Sequence, residues 1–238
     1  MSYSKSPLFE VIVEFRTEPH GVLDEFDRVG KRLKSEYPIR EQHDNWEFKI
    51  QPGSDPRISK AGIDSVHFKS ADAANIVVTR PYGMTYTRNF PYISWQDFTS
   101  RAERAWRVWS KEVGRRKIVR LGLRSRNRFD IPVATAIGLD PSEFLTFRAR
   151  PPISPTTTVG FSAQDHSRHE GYEMILIAGT TLSPLIDHAG LLLDIDVGRD
   201  VDVPQSWNDI IGALSEMRSL GTSVFEACIT DRAREIIR

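Results

Sequence analysis

Apolar and polar residues alternate over Phe9-Glu-Val-Ile-Val-Glu-Phe15. Phe9, Val11, Val13 and Phe15 fall on one side and Glu10 and Glu14 on the other, the period-two signature of a half-buried strand. From Val22 the apolar spacing lengthens to Val22, Phe26, Val29, Leu33 and Tyr37, which is helical, and Pro38 stops it. Shorter strands are expected at residues 46–50, 65–69, 75–80 and 84–90. Turn signals such as Pro52-Gly53-Ser54-Asp55-Pro56 and Pro81-Tyr82-Gly83 separate them. An antiparallel meander is the natural assembly.

Ser94-Trp-Gln-Asp97 then opens a strong helix, with Ser94 as the cap and Asp97 at the positive N-terminal end. Trp95, Phe98, Ala102, Ala105, Trp106, Trp109 and Val113 share one side, while Arg104, Arg107, Lys111 and Arg115 fall opposite. The tryptophans among arginines suit a base-stacking platform, but their helical spacing favours core packing. The next stretch, residues 117–129, carries Arg120, Arg124, Arg126 and Arg128 around Gly122 on one strand face, with Val119, Leu121 and Leu123 turned to a core.

Beyond that strand, residues 132–150 read as short-helical and irregular, and Pro151-Pro-Ile-Ser-Pro155 as an extended connector. Residues 157–163 and 172–179 form an expected hairpin around a polar tip at 164–171. In Leu191-Leu-Leu-Asp-Ile-Asp-Val197 the alternation puts Leu191, Leu193, Ile195 and Val197 inward and Asp194 and Asp196 outward. Ser206-Trp-Asn-Asp209 opens the C-terminal helical segment, which Gly221 is expected to bend or split.

These elements predict an α+β fold: a largely antiparallel sheet with amphipathic helices packed on one face. The near-identical openings Ser94-Trp-Gln-Asp-Phe98 and Ser206-Trp-Asn-Asp-Ile210 suggest two similar β-α-β(n)-α halves, an internal duplication, although capping alone produces Ser-x-x-Asp twice. The halves are drawn at residues 1–115 and 116–238, together one compact unit.

A chain of 238 residues, 39 % hydrophobic and 27 % charged, can bury a core, and no apolar run reaches the roughly 18 residues of a membrane span. The start, Met1 to Pro7, has no apolar signal region, and one cysteine, Cys228, cannot form an internal disulfide; a cytoplasmic setting is expected.

The formal net charge of zero argues against a general polyanion binder, but the charges are segregated. Eleven cations between Arg101 and Arg128 face only Glu103 and Glu112, and six aspartates between Asp187 and Asp209 face only Arg199. Either the blocks neutralise each other inside the fold or they form a binding face. Glu10, Glu14, Arg120, Arg124, Arg126, Arg128, Asp194 and Asp196 are therefore the candidate ligand-binding residues. Arginines there suit phosphate or carboxylate, and the carboxylates suit a base or a cation.

No metal or cofactor is expected. Asp194-Ile-Asp-Val-Gly-Arg-Asp200-Val-Asp202 departs from a calcium loop, and His166-Ser-Arg-His169-Glu170 lacks the helical pair of a zinc peptidase. His20, His43, His67 and His188 are scattered without a local partner, and Cys228 sits on an apolar helix face. The phosphate-binding, dinucleotide-binding and serine-hydrolase signatures are all absent from the sequence.

Pro7-Leu-Phe-Glu-Val-Ile-Val-Glu-Phe-Arg16, Leu121-Gly-Leu-Arg-Ser-Arg-Asn-Arg128, Leu193-Asp-Ile-Asp196 and Val224-Phe-Glu-Ala-Cys-Ile-Thr-Asp231 together resemble an uncharacterised family of prokaryotic proteins of about this length, called "sporadically distributed protein". The resemblance covers essentially the whole chain. The family's central strand commonly reads Gly-Leu-Arg-Tyr-x-Asn-Arg, and Ser125 stands here in the tyrosine's place. The resemblance implies no enzyme activity, and the family's patchy distribution implies horizontally exchanged genes, including those of defence or mobile elements. The expected function is a non-catalytic binding or interaction protein whose arginine strand meets an anionic ligand, an acidic protein partner or nucleic acid. The alternative is an enzyme acting on a phosphorylated or carboxylated small molecule in a charged groove.

Overall fold

The computed structural model describes residue 3 and residues 5–19, 22–49, 57–133, 139–149 and 160–238. Along the chain run β1 (Leu8–Thr17), α1 (Leu23–Leu33), β2 (Ile39–Lys49), β3 (Arg57–Lys69), β4 (Asn75–Arg80), β5 (Gly83–Asn89), α2 (Trp95–Glu112), β6 (Ile118–Pro132), a 3-10 turn at Pro141–Glu143, β7 (Ser162–His169), β8 (Tyr172–Leu182), β9 (His188–Arg199), α3 (Trp207–Cys228) and α4 (Asp231–Ile237). The fold is α+β, and its largely antiparallel sheet has the strand order β2-β3-β4-β5-β1-β6-β9-β8-β7. The expected turn at Pro52 to Pro56, residue Ile50 and the connector at Pro151 to Pro155 lie outside the described residues.

The chain forms two compact units. One comprises residues 13–89 and 93–121, the other residues 1–12, 90–92 and 122–238. Strands β1 and β6 each contribute to both.

In the unit of residues 13–89 and 93–121, helix α1 buries Phe26, Val29 and Leu33. The helix starts one residue later than the apolar spacing suggests, so Val22 is its exposed N-cap, and the Glu25 carboxylate accepts the Val22 N–H. Gly30 is required by packing: a Cβ there would lie 2.4 Å from the Phe68 ring of β3. Arg28 and Arg32 both pair with Glu112, tying α1 to the end of α2. In α2, Phe98, Ala102, Ala105 and Trp109 are buried and Phe15 stacks on Trp106 at 4.6 Å, so the tryptophans serve packing. Their helical spacing is the spacing of a core face.

Strands β2 and β3 are longer than their apolar residues suggest. They pair over a long hairpin whose residues 57–62 are exposed, so much of the hairpin has no buried face to impose alternation. Trp46, Phe48 and Ile58 are exposed on it.

In the other unit, β7, β8 and β9 pair antiparallel, and Leu191, Leu193, Ile195 and Val197 are buried as the alternation requires. The hairpin tip differs from expectation. Residues 164–169 belong to β7, and the reversal is a two-residue turn, Glu170-Gly171, with φ of 48° and 85°. Two consecutive positive φ values match the twist of a tight hairpin. Helix α3 also runs unbroken through Gly221, where a Cβ would sit 3.9 Å from Val197 and 4.0 Å from Ile195. The break comes instead at Ile229, which bridges to Leu145, and Thr230 caps α4 by accepting the Ala233 N–H.

Both Ser-Trp-x-Asp openings are caps. Ser94 Oγ accepts the Asp97 N–H at 3.1 Å, and Ser206 Oγ accepts the Asp209 N–H at 3.3 Å. Ser94→Ala is expected to cost about 1 kcal/mol, read as a lower urea midpoint at unchanged slope; an unchanged midpoint would show that the cap contributes nothing.

Candidate functional site

The arginines of β6 are paired side chains. Residues 124, 126, 128 and 130 share one face of the strand because side chains alternate. Arg124 donates from Nε to Asp194 Oδ1 at 2.7 Å and from Nη2 to Asp194 Oδ2 at 2.5 Å, a bidentate fork. Arg126 donates from Nη1 to Glu10 Oε2 at 2.7 Å. Its buried Nε lies 3.4 Å from Asp194 Oδ2, within ion-pair range but without hydrogen-bond geometry. Arg128 donates from Nε to Asp130 at 3.0 Å. Below them, the Phe9 ring lies 5.1 Å from the Arg126 guanidinium carbon and 5.4 Å from that of Arg128. Cations over an aromatic face gain a further attraction.

Asp194 departs from its expected outward exposure: its side chain is only 3 % exposed, beneath two guanidiniums. Strand parity gives the face a residue points to, not what covers it. Asp196 is half-buried, and its charge bears on Arg124. Hydrogen bonding to Asp194, then the charges of Asp194, Asp196 and Glu10, raise the Arg124 pKa despite desolvation. Asp200 pairs with Arg168, so Asp194 and Asp200 of the acidic run are both engaged by arginines.

In the other unit, Arg120 is buried and donates to Glu14 at 2.5 Å, and Glu14 also accepts from Arg16 at 3.0 Å. The stripe on α2 is partly paired as well, Arg104 with Glu36 and Arg107 with Glu103, while Lys111 is exposed; Arg115, expected on the same helix face, lies beyond the helix end at Glu112 and is also exposed.

Two features lay beyond sequence reasoning. Asp130 and Phe9 complete the arginine cluster, and Asp130 had a usable signal, since it follows Arg128 by two on one strand. The second feature corrects the reading of His43 and His67 as scattered. Antiparallel pairing sets Glu41 opposite His67 and His43 opposite Ser65, and the two imidazole rings lie 4.3 Å apart. Burial, then the neighbouring His43, pushes the His67 pKa down to about 4. His166 also belongs to a strand, paired with Glu173 across the hairpin. Cys228 is buried, which pushes its thiol up to about 11 and leaves it protonated at neutral pH.

Among the described residues no helix is long and apolar enough to cross a membrane. No family model matches the chain, and no curated protein is significantly similar to it.

Proposed function

We propose that this chain is a non-catalytic binding protein that recognises an anionic group through Arg124 and Arg126. One observation carries the reading. Arg124 is held along one edge by a buried carboxylate, yet 40 % of its side chain is exposed, and Arg126 is 34 % exposed. A guanidinium has five N–H donors in a rigid fork, and Arg124 spends two on Asp194. The fork is thus oriented before a ligand arrives, which lowers the ordering cost of binding phosphate or carboxylate. The acceptor is a phosphate of nucleic acid or of a small molecule, or an acidic patch on a protein partner.

An enzyme in a charged groove would need the carboxylates as base or metal ligand. Glu10, Glu14 and Asp194 each face a guanidinium instead, which favours the binding reading. The same proposal takes the two halves as copies of one unit. In each, the first strand neighbours the last strand of its meander, β1 with β5 and β6 with β9, and a helix capped by Ser-Trp-x-Asp follows. A prokaryotic, cytoplasmic setting and membership of the sporadically distributed family fit this reading and belong to it.

The test is fluorescence anisotropy with labelled single-stranded DNA and RNA and with an acidic peptide, each at low and high salt. Displacement by pyrophosphate covers the small-molecule case. Charge reversal beside Asp194 would unfold the site, so the variant is Arg124→Gln combined with Asp194→Asn, which removes a matched pair. At least tenfold weaker binding and a shallower salt dependence are expected. Binding by the wild type that this variant retains in full would sink the reading.

A further inference from the structure

We propose that Glu41, His43 and His67 form a binding site for a divalent transition-metal ion, with zinc as the fitting ion. The three side chains come from paired positions on one face of β2 and β3: Glu41 is opposite His67, and His43 is two residues further along β2. One ligand atom from each lies within 4.8 Å of the others, and His43 Nε2 is 4.0 Å from Glu41 Oε2. Zinc–ligand bonds of about 2.0–2.2 Å place tetrahedral ligand atoms roughly 3.3 Å apart, so the cluster closes by at most about 1.5 Å. Side-chain rotation alone can supply that.

The donor set selects the class of ion. Two imidazoles and one carboxylate suit zinc and its transition-metal neighbours, whereas calcium and magnesium call for oxygen throughout. Three protein ligands leave a fourth position for water. The Glu41 and His43 side chains are 44 % and 50 % exposed, so an ion reaches them directly.

An outer shell supports His67. Ser65 is 1 % exposed; its Oγ donates to Asp64 Oδ2 at 3.0 Å and lies 3.1 Å from His67 Nε2. The carboxylate can only accept, so the one hydroxyl proton goes to Asp64 and the hydroxyl oxygen accepts from Nε2–H. The neutral ring then carries its free lone pair on Nδ1, and its rotation is fixed, as outer-shell partners do for metal-binding histidines. A cation already sits beside the carboxylate: Lys69 Nζ is 2.6 Å from Glu41 Oε2. Lysine and metal compete for that oxygen.

Isothermal titration of the full chain, carrying no histidine tag, with zinc chloride tests the site, with magnesium chloride as the control ion. One equivalent of zinc binding is expected, and none of magnesium. His43→Ala changes an exposed side chain, so the fold survives, and should weaken zinc at least tenfold. Lys69→Gln removes the competitor and should tighten zinc severalfold. Cobalt gives a second readout: the intense visible bands of a tetrahedral site should appear with the wild type and vanish in His67→Gln. Absence of one-equivalent zinc binding in the wild type, or its retention in His43→Ala, overturns the assignment. Either result leaves the arginine reading of β6 untouched.

Discussion

Asp194→Ala is expected to lower the unfolding free energy by about 3 kcal/mol, the lower end of the roughly 3–5 kcal/mol seen when one partner of a buried ion pair is removed. The carboxylate is 3 % exposed and accepts both Nε and Nη2 of Arg124, with Arg126 Nε at 3.4 Å. Its loss leaves two guanidiniums beside a void with no anion between them. The loss stays at the lower end because Arg124 and Arg126 are 40 % and 34 % exposed, so water recovers part of their solvation. Urea unfolding should show a large fall in midpoint at unchanged slope. Asp194→Asn keeps the shape and removes the charge, so most of the same loss is expected. Adding Arg124→Met to Asp194→Ala should recover part of it, since one stranded cation is gone. A loss below about 1 kcal/mol in Asp194→Ala would place this pair with ordinary surface bridges.

Gly83→Ala should be at least as damaging, at about 3 kcal/mol or more. Gly83 has φ of +141°, a region that residues with a side chain avoid, and a Cβ there would lie 2.0 Å from the Phe15 carbonyl oxygen. The obstacle is the backbone of β1, which cannot rotate out of the way as a side chain could. Gly62 supplies a matched control: its φ is also +141°, but nothing lies within 4 Å of a Cβ built on it. Gly62→Ala therefore carries only backbone strain, of order 1–3 kcal/mol. The difference between the two variants, measured in the same urea series, reads the cost of the β1 clash. Equal losses would mean that β1 moves aside freely.

Where one face of an element is buried, the chain announces it. Val11 to Phe15 and Leu191 to Val197 alternate because one side packs into an apolar core and the other carries charged groups, and Ser94 and Ser206 mark helix starts through their own cap chemistry. Several features have no such local cause. Residues 57–62 are exposed without alternation, so β3 is visible in sequence only from Ser65 onward. Gly221 looks like a helix breaker, but α3 runs through it because the packing of the helix outweighs a single glycine's cost of about 1 kcal/mol. The arginine cluster was half legible: the polar faces of β1, β6 and β9 were recognisable, while the burial of Asp194 depends on Arg124 and Arg126 folding over it. Glu41, His43 and His67 were not legible at all. Their proximity is set by the register of β2 against β3, which a bulge between His43 and Asp44 also shapes.

Strand β7 ends the strand order beyond β8 and carries Asp165, His166, Arg168 and His169. A foreign chain adding there would have to lay its own strand beside that charged row and desolvate it, which is how natural sheets discourage fibrous growth. The charges that make β7 a poor template for another molecule are the same ones that erase its strand signature, which is why residues 164–169 read as a solvated loop tip.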